Sequence, residues 1–124
     1  MPILTIQIPT GYSKAQKASL LNGLTQAAMD SIQAPLASLR ANLVEIPPEN
    51  TIVAGEIGQT MALIYVALIV GRDEGQKAAL IAALSQSVQD SIGISTQHTR
   101  VLLHDLEKTD LGVAGGISAK ASGR

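Results

Sequence analysis

The chain has 124 residues, of which 46% are hydrophobic and 15% charged, and nine Lys and Arg against ten Asp and Glu give a formal net charge of -1. This length suits one compact structural unit, and the charge balance disfavours nucleic acid or an anionic membrane surface as the main partner. The absence of cysteine excludes disulfides, thiolate metal sites and thiol nucleophiles. The longest apolar run, 61–70, is too short to span a membrane, and the amino terminus lacks the basic region of a signal peptide. We therefore expect a soluble, cytoplasmic protein, and the small number of charges favours an oligomer.

The sequence contains the same pattern twice. At an offset of 60 residues, 17 of 57 aligned positions are identical without a gap. The matches include Gln16–Ala18 with Gln76–Ala78 and Asp30–Ile32 with Asp90–Ile92. Identity at this level in an ungapped alignment indicates a tandem duplication. We predict two units, 1–60 and 61–124, which together form one structural domain.

Each unit begins with a short apolar, β-branched run that ends at a glycine, which predicts strands over 2–8 and 62–70. A helix follows, with Ser13 or Asp73 as its N-cap. Apolar residues then recur at the i, i+3, i+4, i+7 spacing of one helix face: Leu20, Leu21, Leu24, Ala28 and Ile32 in the first unit, and Leu80, Ile81, Leu84, Val88 and Ile92 in the second. The pattern further predicts second strands over about 39–46 and 99–106, and glycine-containing hairpins over 52–56 and 112–116.

A strand, a helix and a strand in so few residues predict a βαβ unit with parallel strands and a right-handed crossover. Two such units give an α/β (α+β) fold, in which a four-stranded sheet carries both helices on one face. We expect the other face to be built from alternate residues of the strands that begin at Ile3, Leu39, Leu63 and Thr99. Because that face would be apolar, further copies of the chain should cover it.

Few residues in the chain offer catalytic or metal chemistry. His98 and His104 are the only histidines, and on a strand they would lie roughly 20 Å apart, too far for one metal ion. The glycine-containing segments 71–77 and 112–120 do not match a phosphate-binding loop, and no Gly-x-Ser-x-Gly elbow supports a serine triad. The glutamates have no distinctive spacing, and we interpret Glu45, Glu49 and Glu56 as solvated. We predict neither a metal nor a cofactor.

The start of the chain offers one candidate base. Pro2 follows Met1, and an initiator methionine is normally removed before so small a residue, which would leave a free secondary amine. A retained Met1 would instead make the Pro2 nitrogen an amide. Burial or neighbouring cations lower the pKa of an α-amine toward the operating pH, where a general base works best. The chain has four arginines that could supply such charge: Arg40, Arg72, Arg100 and Arg124.

Several segments together carry a family resemblance: Pro2-Ile3 at the start, Gly11 after the first strand, Gln16-Lys17 at the helix start, 34–40 before the second strand, and 53–56 in the hairpin. With them the chain resembles the 4-oxalocrotonate tautomerase family of the tautomerase superfamily, in a fused form with two subunit-length copies over residues 1 to about 120. The resemblance implies the tautomerase fold and a cofactor-free isomerase. In that mechanism an amino-terminal proline moves a proton within an enol or dienol 2-oxo acid similar to 2-hydroxymuconate. The resemblance also implies an arginine at the first glycine turn that holds a carboxylate, and a second-strand arginine that polarises the keto group.

Carried over position by position, the resemblance divides one site between the two copies. The first copy has Pro2 but has Tyr12 in place of the first-turn arginine. The second copy has Arg72 but has Ala62 in place of the proline. Catalytic roles are therefore implied for Pro2, Arg72 and Arg40, with Arg40 supplied by an adjacent chain of a homotrimer. A second site at Ala62 should be silent, because its nitrogen lies within the chain.

The resemblance also implies substrate-binding roles for Leu111 and Arg100. Arg100 is the repeat equivalent of Arg40 and would lie near the second site. Leu111 and Thr51 stand where the family has an active-site aromatic residue, so the apolar wall of the site has changed. Dehalogenase relatives use an added arginine and a water-activating glutamate, and the aligned positions here are Ile69 and Val113. A dehalogenase or hydratase is therefore disfavoured. The other alternative is a non-catalytic trimeric protein that keeps the fold, which the missing aromatic and the missing first-turn arginine would favour.

Overall fold

The computed structural model describes all 124 residues of the chain. The first half contains one helix and four strands: β1 (Ile3–Pro9), α1 (Lys14–Ile32), β2 (Arg40–Ile46), β3 (Ile52–Val53) and β4 (Glu56–Ile57). The second half repeats this order: β5 (Ala62–Ile69), α2 (Glu74–Ile92), β6 (Thr99–Leu106), β7 (Gly112–Val113) and β8 (Ile117–Ser118). The predicted elements are confirmed, and each terminal hairpin extends beyond its predicted range because a second short strand pairs back on the first.

Four strands form the central sheet in the order β2-β1-β5-β6. Within each half the two strands are parallel, as a βαβ unit requires, and the halves meet through an antiparallel pair of β1 and β5. The sheet is therefore mixed, and the related ends of the two halves point in opposite directions along it. This arrangement places the turn after β5 next to the start of β1.

Both helices begin at capping boxes formed by equivalent residues. The Ser13 hydroxyl accepts a hydrogen bond from the backbone N–H of Gln16 at 3.1 Å, and the Gln16 side chain accepts one from the backbone N–H of Ser13 at 2.9 Å. Asp73 and Gln76 make the same reciprocal pair, at 2.8 and 3.1 Å. These bonds satisfy amide groups that the first helical turn leaves free, so both predicted N-caps are confirmed.

The core lies between the two helices and one face of the sheet. Its largest fully buried members are Leu4, Ile6 and Ile8 of β1, Ile64, Val66 and Leu68 of β5, and Leu20, Leu24, Leu80, Leu84 and Val88 of the helices. Side chains of both repeats form one continuous cluster. The predicted helix face is largely confirmed, but Ile81 is 39% exposed because it lies at the edge of the stripe. Neither helix combines the length and apolar content needed to cross a membrane.

The outer face of the sheet, opposite the helices, differs from the prediction on its two edge strands. The alternate residues that begin at Leu39 and at Thr99 do not lie on the outer face. Leu39, Ala41 and Leu43 pack against the core, and Thr99 is buried. The parallel register pairs Ile3 with Arg40 and Leu63 with Arg100, so these two arginines begin the outer rows of β2 and β6. On the two central strands, the alternate residues that begin at Ile3 and Leu63 face outward as predicted. The outer face still carries exposed apolar side chains: Val44, Tyr65 and Leu102.

Candidate functional site

A cleft of about 170 Å³ lies at the amino-terminal end of β1. The first repeat contributes one wall through Met1, Ile3, Ala37, Ser38 and Arg40. The second repeat contributes the other through the hairpin residues 112–114 and Arg124. Pro2, the predicted base, follows Met1 in the chain and its side chain is fully buried. Residues of both halves of the chain therefore line the cleft.

Arg40 is the first residue of β2, and hydrogen bonds to backbone oxygens hold it at the cleft. Its backbone N–H donates to the Pro2 carbonyl oxygen at 3.3 Å. Its guanidinium Nη1 donates to the carbonyl oxygens of Ala37 and Leu39, each at 2.9 Å. These bonds fix the guanidinium and leave its other nitrogens free for a ligand. The chain's own Arg40 lines the cleft at its own amino terminus, and the contribution of an adjacent chain's Arg40, which the resemblance implies, stays a prediction.

Arg72 reaches the amino terminus from the second repeat. Gly71, at a φ of 131°, lets the chain turn sharply after β5, a conformation that side-chain-bearing residues rarely adopt. Arg72 follows, and its Nη1 donates to the Ile69 carbonyl oxygen at 3.1 Å. Its Nη2 donates to the Met1 carbonyl oxygen at 3.2 Å. That oxygen and the Pro2 nitrogen belong to one amide, so the guanidinium lies within about 5.5 Å of this nitrogen.

Arg124 is a third cation at the cleft, and the sequence did not predict its position. Its backbone N–H donates to the Ala119 carbonyl oxygen at 3.0 Å, which turns the end of the chain back toward the amino terminus. The duplication gives no signal for this residue, because Arg124 lies beyond the aligned positions and has no counterpart in the first repeat. Only the fold of the last turn brings Arg124 to the cleft.

Three arginines contribute positive charge at this cleft. The two ion pairs of the chain are Lys17–Glu45 and Lys77–Asp105, so none of these arginines is neutralised by a carboxylate. Burial, and then the positive charges of Arg72, Arg124 and Arg40, lower the pKa of the Met1 amine below its ordinary value of 8.0. This environment can bind an anion and keep an amine neutral at a pH where an exposed one would be protonated.

The other predicted residues lie outside this cleft. Arg100 lines a second cleft of about 130 Å³ at the start of β5, together with His98. Leu111 is 8% exposed and does not line the cleft, although its neighbours 112–114 do. Tyr12, at the repeat position of Arg72, is half-buried against the core, and burial raises the pKa of its hydroxyl. His104 lies on the outer sheet face.

Comparison with known proteins identifies the family. The family model described as tautomerase enzyme matches residues 2–60 and 63–121, once for each repeat. A 2-hydroxymuconate tautomerase from Comamonas testosteroni is 34% identical over 64 residues, which are 52% of this chain and 100% of the relative. The corresponding enzyme from Pseudomonas putida is 36% identical over the same shares of both chains.

Solved structures match over nearly the whole chain. A wild-type fused 4-OT described as a symmetric trimer is 50% identical, with a TM-score of 0.96 over 98% of this chain and 99% of the other. A fused 4-OT described as an asymmetric trimer is 42% identical, with a TM-score of 0.93 over the same shares. A protein inactivated by 2-oxo-3-pentynoate is 43% identical, with a TM-score of 0.95, again over the same shares. The chain therefore belongs to the tautomerase family as a tandem fusion of two family units, and by that membership it is an isomerase.

Proposed function

We propose that the chain catalyses keto–enol tautomerisation of an enol or dienol 2-oxo acid of the 2-hydroxymuconate type, with the amine of Pro2 as the base. The observation that carries this proposal is the cleft at the amino terminus, where Arg40, Arg72 and Arg124 surround the terminal amine without a carboxylate partner. A 2-oxo diacid brings two carboxylates and an enol oxygen to such a cleft. The relatives named 2-hydroxymuconate tautomerase support this class of substrate.

The base forms when Met1 is removed, because the Pro2 nitrogen then becomes a secondary amine. It would lie in the same cleft as the Met1 amine, whose pKa is lowered by burial and by the three arginines. A lowered pKa increases the neutral fraction near neutral pH, and only the neutral amine can accept a proton. Desolvation and positive charge thus prepare Pro2 for general base catalysis.

The proposed reaction moves one proton and needs no co-reactant. Neutral Pro2 takes the proton from the enol hydroxyl, so the O–H bond breaks, a carbonyl forms and the π electrons shift along the chain of carbons. The protonated Pro2 then gives a proton to a carbon of the same substrate, which forms a C–H bond and restores the base. Arg72 and Arg40 hold the carboxylates and stabilise the negative charge that develops on oxygen. Arg124 adds to this positive field.

Each chain would contain one working site. The repeat equivalent of Pro2 is Ala62, which is fully buried as the first residue of β5. Its nitrogen is an amide within the chain and has no basic lone pair. The second repeat has therefore kept the fold and supplied Arg72 and Arg124, while the first repeat has kept the base.

We further propose that the chain works as a homotrimer. The outer face of the sheet bears exposed apolar side chains on three of its strands, among them Val44, Tyr65 and Leu102. Leaving this face in water costs about 25 cal/mol for each Å² of apolar surface, a loss that association would recover. The similar fused structures described as trimers support three copies of the chain.

The direct test is covalent labelling of the amino terminus. Mass spectrometry of the purified protein should first show a chain that begins at Pro2. After incubation with 2-oxo-3-pentynoate, an activated alkyne that an amine can add to, the chain should gain the mass of one whole inhibitor molecule, located on Pro2 by peptide mapping. Activity toward 2-hydroxymuconate, followed by ultraviolet absorbance, should fall in proportion to the fraction of chains that carry the label.

Two variants sharpen this test. Pro2→Ala also permits removal of Met1, but its primary amine has a different basicity and geometry, so turnover should fall by orders of magnitude. Arg100→Ala changes an arginine outside the cleft and should label like the unmodified chain. A chain that retains Met1, or a Pro2→Ala variant with undiminished turnover at every pH, would refute the amine mechanism.

A further inference from the structure

A second cleft of about 130 Å³ lies at the start of β5, and no role in the reaction is assigned to it. Its lining includes Met61 and Leu63 of the second repeat and Val53 of the first-repeat hairpin. These residues are the repeat equivalents of Met1, Ile3 and Val113, which line the first cleft. The duplication has therefore produced two related clefts, each built from the strand start of one repeat and the hairpin of the other.

The second cleft differs from the first in two ways: some functional groups are lost and others are gained. It lacks an amine, because Ala62 is an interior residue, and Tyr12 stands in place of its first-turn arginine. It has gained polar side chains: Gln97 and His98 occupy the positions of Ala37 and Ser38 in the first cleft. The cleft has thus lost the base while acquiring new hydrogen-bond donors.

Arg100 is fixed at this cleft in the same way as its equivalent in the first one. Its Nη1 donates to the carbonyl oxygens of Gln97 at 3.0 Å and Thr99 at 3.1 Å. Its remaining nitrogens have no partner in the chain, and no carboxylate lines the cleft or pairs with this guanidinium. The amide of Gln97 and the imidazole of His98 likewise make no side-chain hydrogen bond within the protein.

We propose that the second cleft is a non-catalytic binding site for a small monocarboxylate, with Arg100 as its anchor and Gln97 and His98 as additional donors. A guanidinium matches the two oxygens of a carboxylate, which makes Arg100 selective for this group. One arginine suits one carboxylate, in contrast to the three arginines around the first cleft. The proposal does not depend on the reaction at Pro2, because binding here requires neither an amine nor turnover.

The test uses pyruvate as the probe and methyl resonances of the full-length protein as the readout. Val53 and Leu63 report on the second cleft, while Ile3 and Val113 report on the first in the same sample. Titration should shift the Val53 and Leu63 signals along a saturating curve. Arg100→Gln should weaken this binding at least about tenfold, as expected for the loss of a charge-assisted contact, and should leave the first-cleft signals of the free protein in place. Arg40→Gln should leave the second-cleft curve unchanged.

Three results would overturn the proposal: no saturable shift of Val53 and Leu63, equal pyruvate binding by Arg100→Gln, or equal binding of sulfate, which would mark a general anion patch. Arg100→Lys addresses loss of structure as a cause, because it keeps the charge and should bind more tightly than the glutamine variant. In Pro2→Ala the second-cleft curve should persist. Its persistence without turnover would separate this site from the proposed reaction.

Discussion

Removal of the Arg72 guanidinium should impair the proposed reaction far more than removal of the Arg100 guanidinium. Arg72 has five N–H donors; one binds the Ile69 carbonyl oxygen, and the one that binds the Met1 carbonyl oxygen is released when Met1 is removed. The others are available to a substrate carboxylate beside Pro2. Loss of one charge-assisted contact costs about 1.5 to 3 kcal/mol, so Arg72→Ala should lower kcat/KM roughly 10- to 150-fold, largely through KM.

The same variant should also change the pH dependence of the reaction. Among the charges that lower the pKa of the Met1 amine, that of Arg72 has the largest effect, second only to burial. Without that charge the pKa rises, a higher pH is needed to obtain the neutral base, and the acidic limb of kcat/KM moves to higher pH. Arg72→Lys keeps the charge and should restore much of the limb position, but not the paired contact with a carboxylate.

The assay is the initial rate of 2-hydroxymuconate conversion, measured from pH 5 to 9 for the unmodified chain and for Arg72→Ala, Arg72→Lys and Arg100→Ala, with melting temperatures as a control for folding. Arg100 is the matched comparison, because it is also an arginine bound to backbone oxygens at the edge of a cleft. Equal losses in Arg72→Ala and Arg100→Ala would refute the assignment of one working site per chain. An acidic limb that does not move in Arg72→Ala would refute the electrostatic role of this residue.

The remaining predictions concern stability and assembly. Leu84→Ala should destabilise the protein by about 2 to 5 kcal/mol in chemical denaturation, because this side chain is fully buried between the helices and the sheet; a cost below about 1 kcal/mol would contradict the described core. Asp73→Ala should cost about 1 kcal/mol by loss of the capping box, and Asp73→Ser, which restores the motif of the first helix, should recover most of it. Light scattering at micromolar concentration should give about three times the 12.9 kDa chain mass, and Tyr65→Glu on the outer face should reduce it, whereas a folded monomer of the unmodified chain would refute the proposed assembly.

Local sequence signals were sufficient for most of the fold. The duplication predicted that whatever the first 60 residues form, the next 60 form again, and both capping boxes, both helices and all four long strands agree with it. The two faces of β1 could be assigned from the sequence because polar Thr5 and Gln7 alternate with apolar residues, and β5, which is apolar throughout, follows β1 through the repeat. The faces of the edge strands β2 and β6 were assigned wrongly, since both strands carry apolar residues on each face, as Leu43 and Val44 illustrate. Their phase is decided by the register with the central strands.

The sequence by itself determined the elements and their order, because these depend on residue type and short-range spacing, which a repeated sequence displays directly. The division of the candidate site, with Pro2 in one half and Arg72 in the other, is implied by the family resemblance and stays a prediction. Only the tertiary structure decided that Arg72 binds the Met1 carbonyl oxygen, 71 positions away in the chain. It also decided that the chain's own Arg40 and Arg124 line the cleft at the amino terminus, and that Leu111 does not line it. The physical reason is the antiparallel contact of β1 with β5, which brings the glycine turn of the second repeat to the start of the first, a juxtaposition set by long-range strand pairing rather than by any local signal.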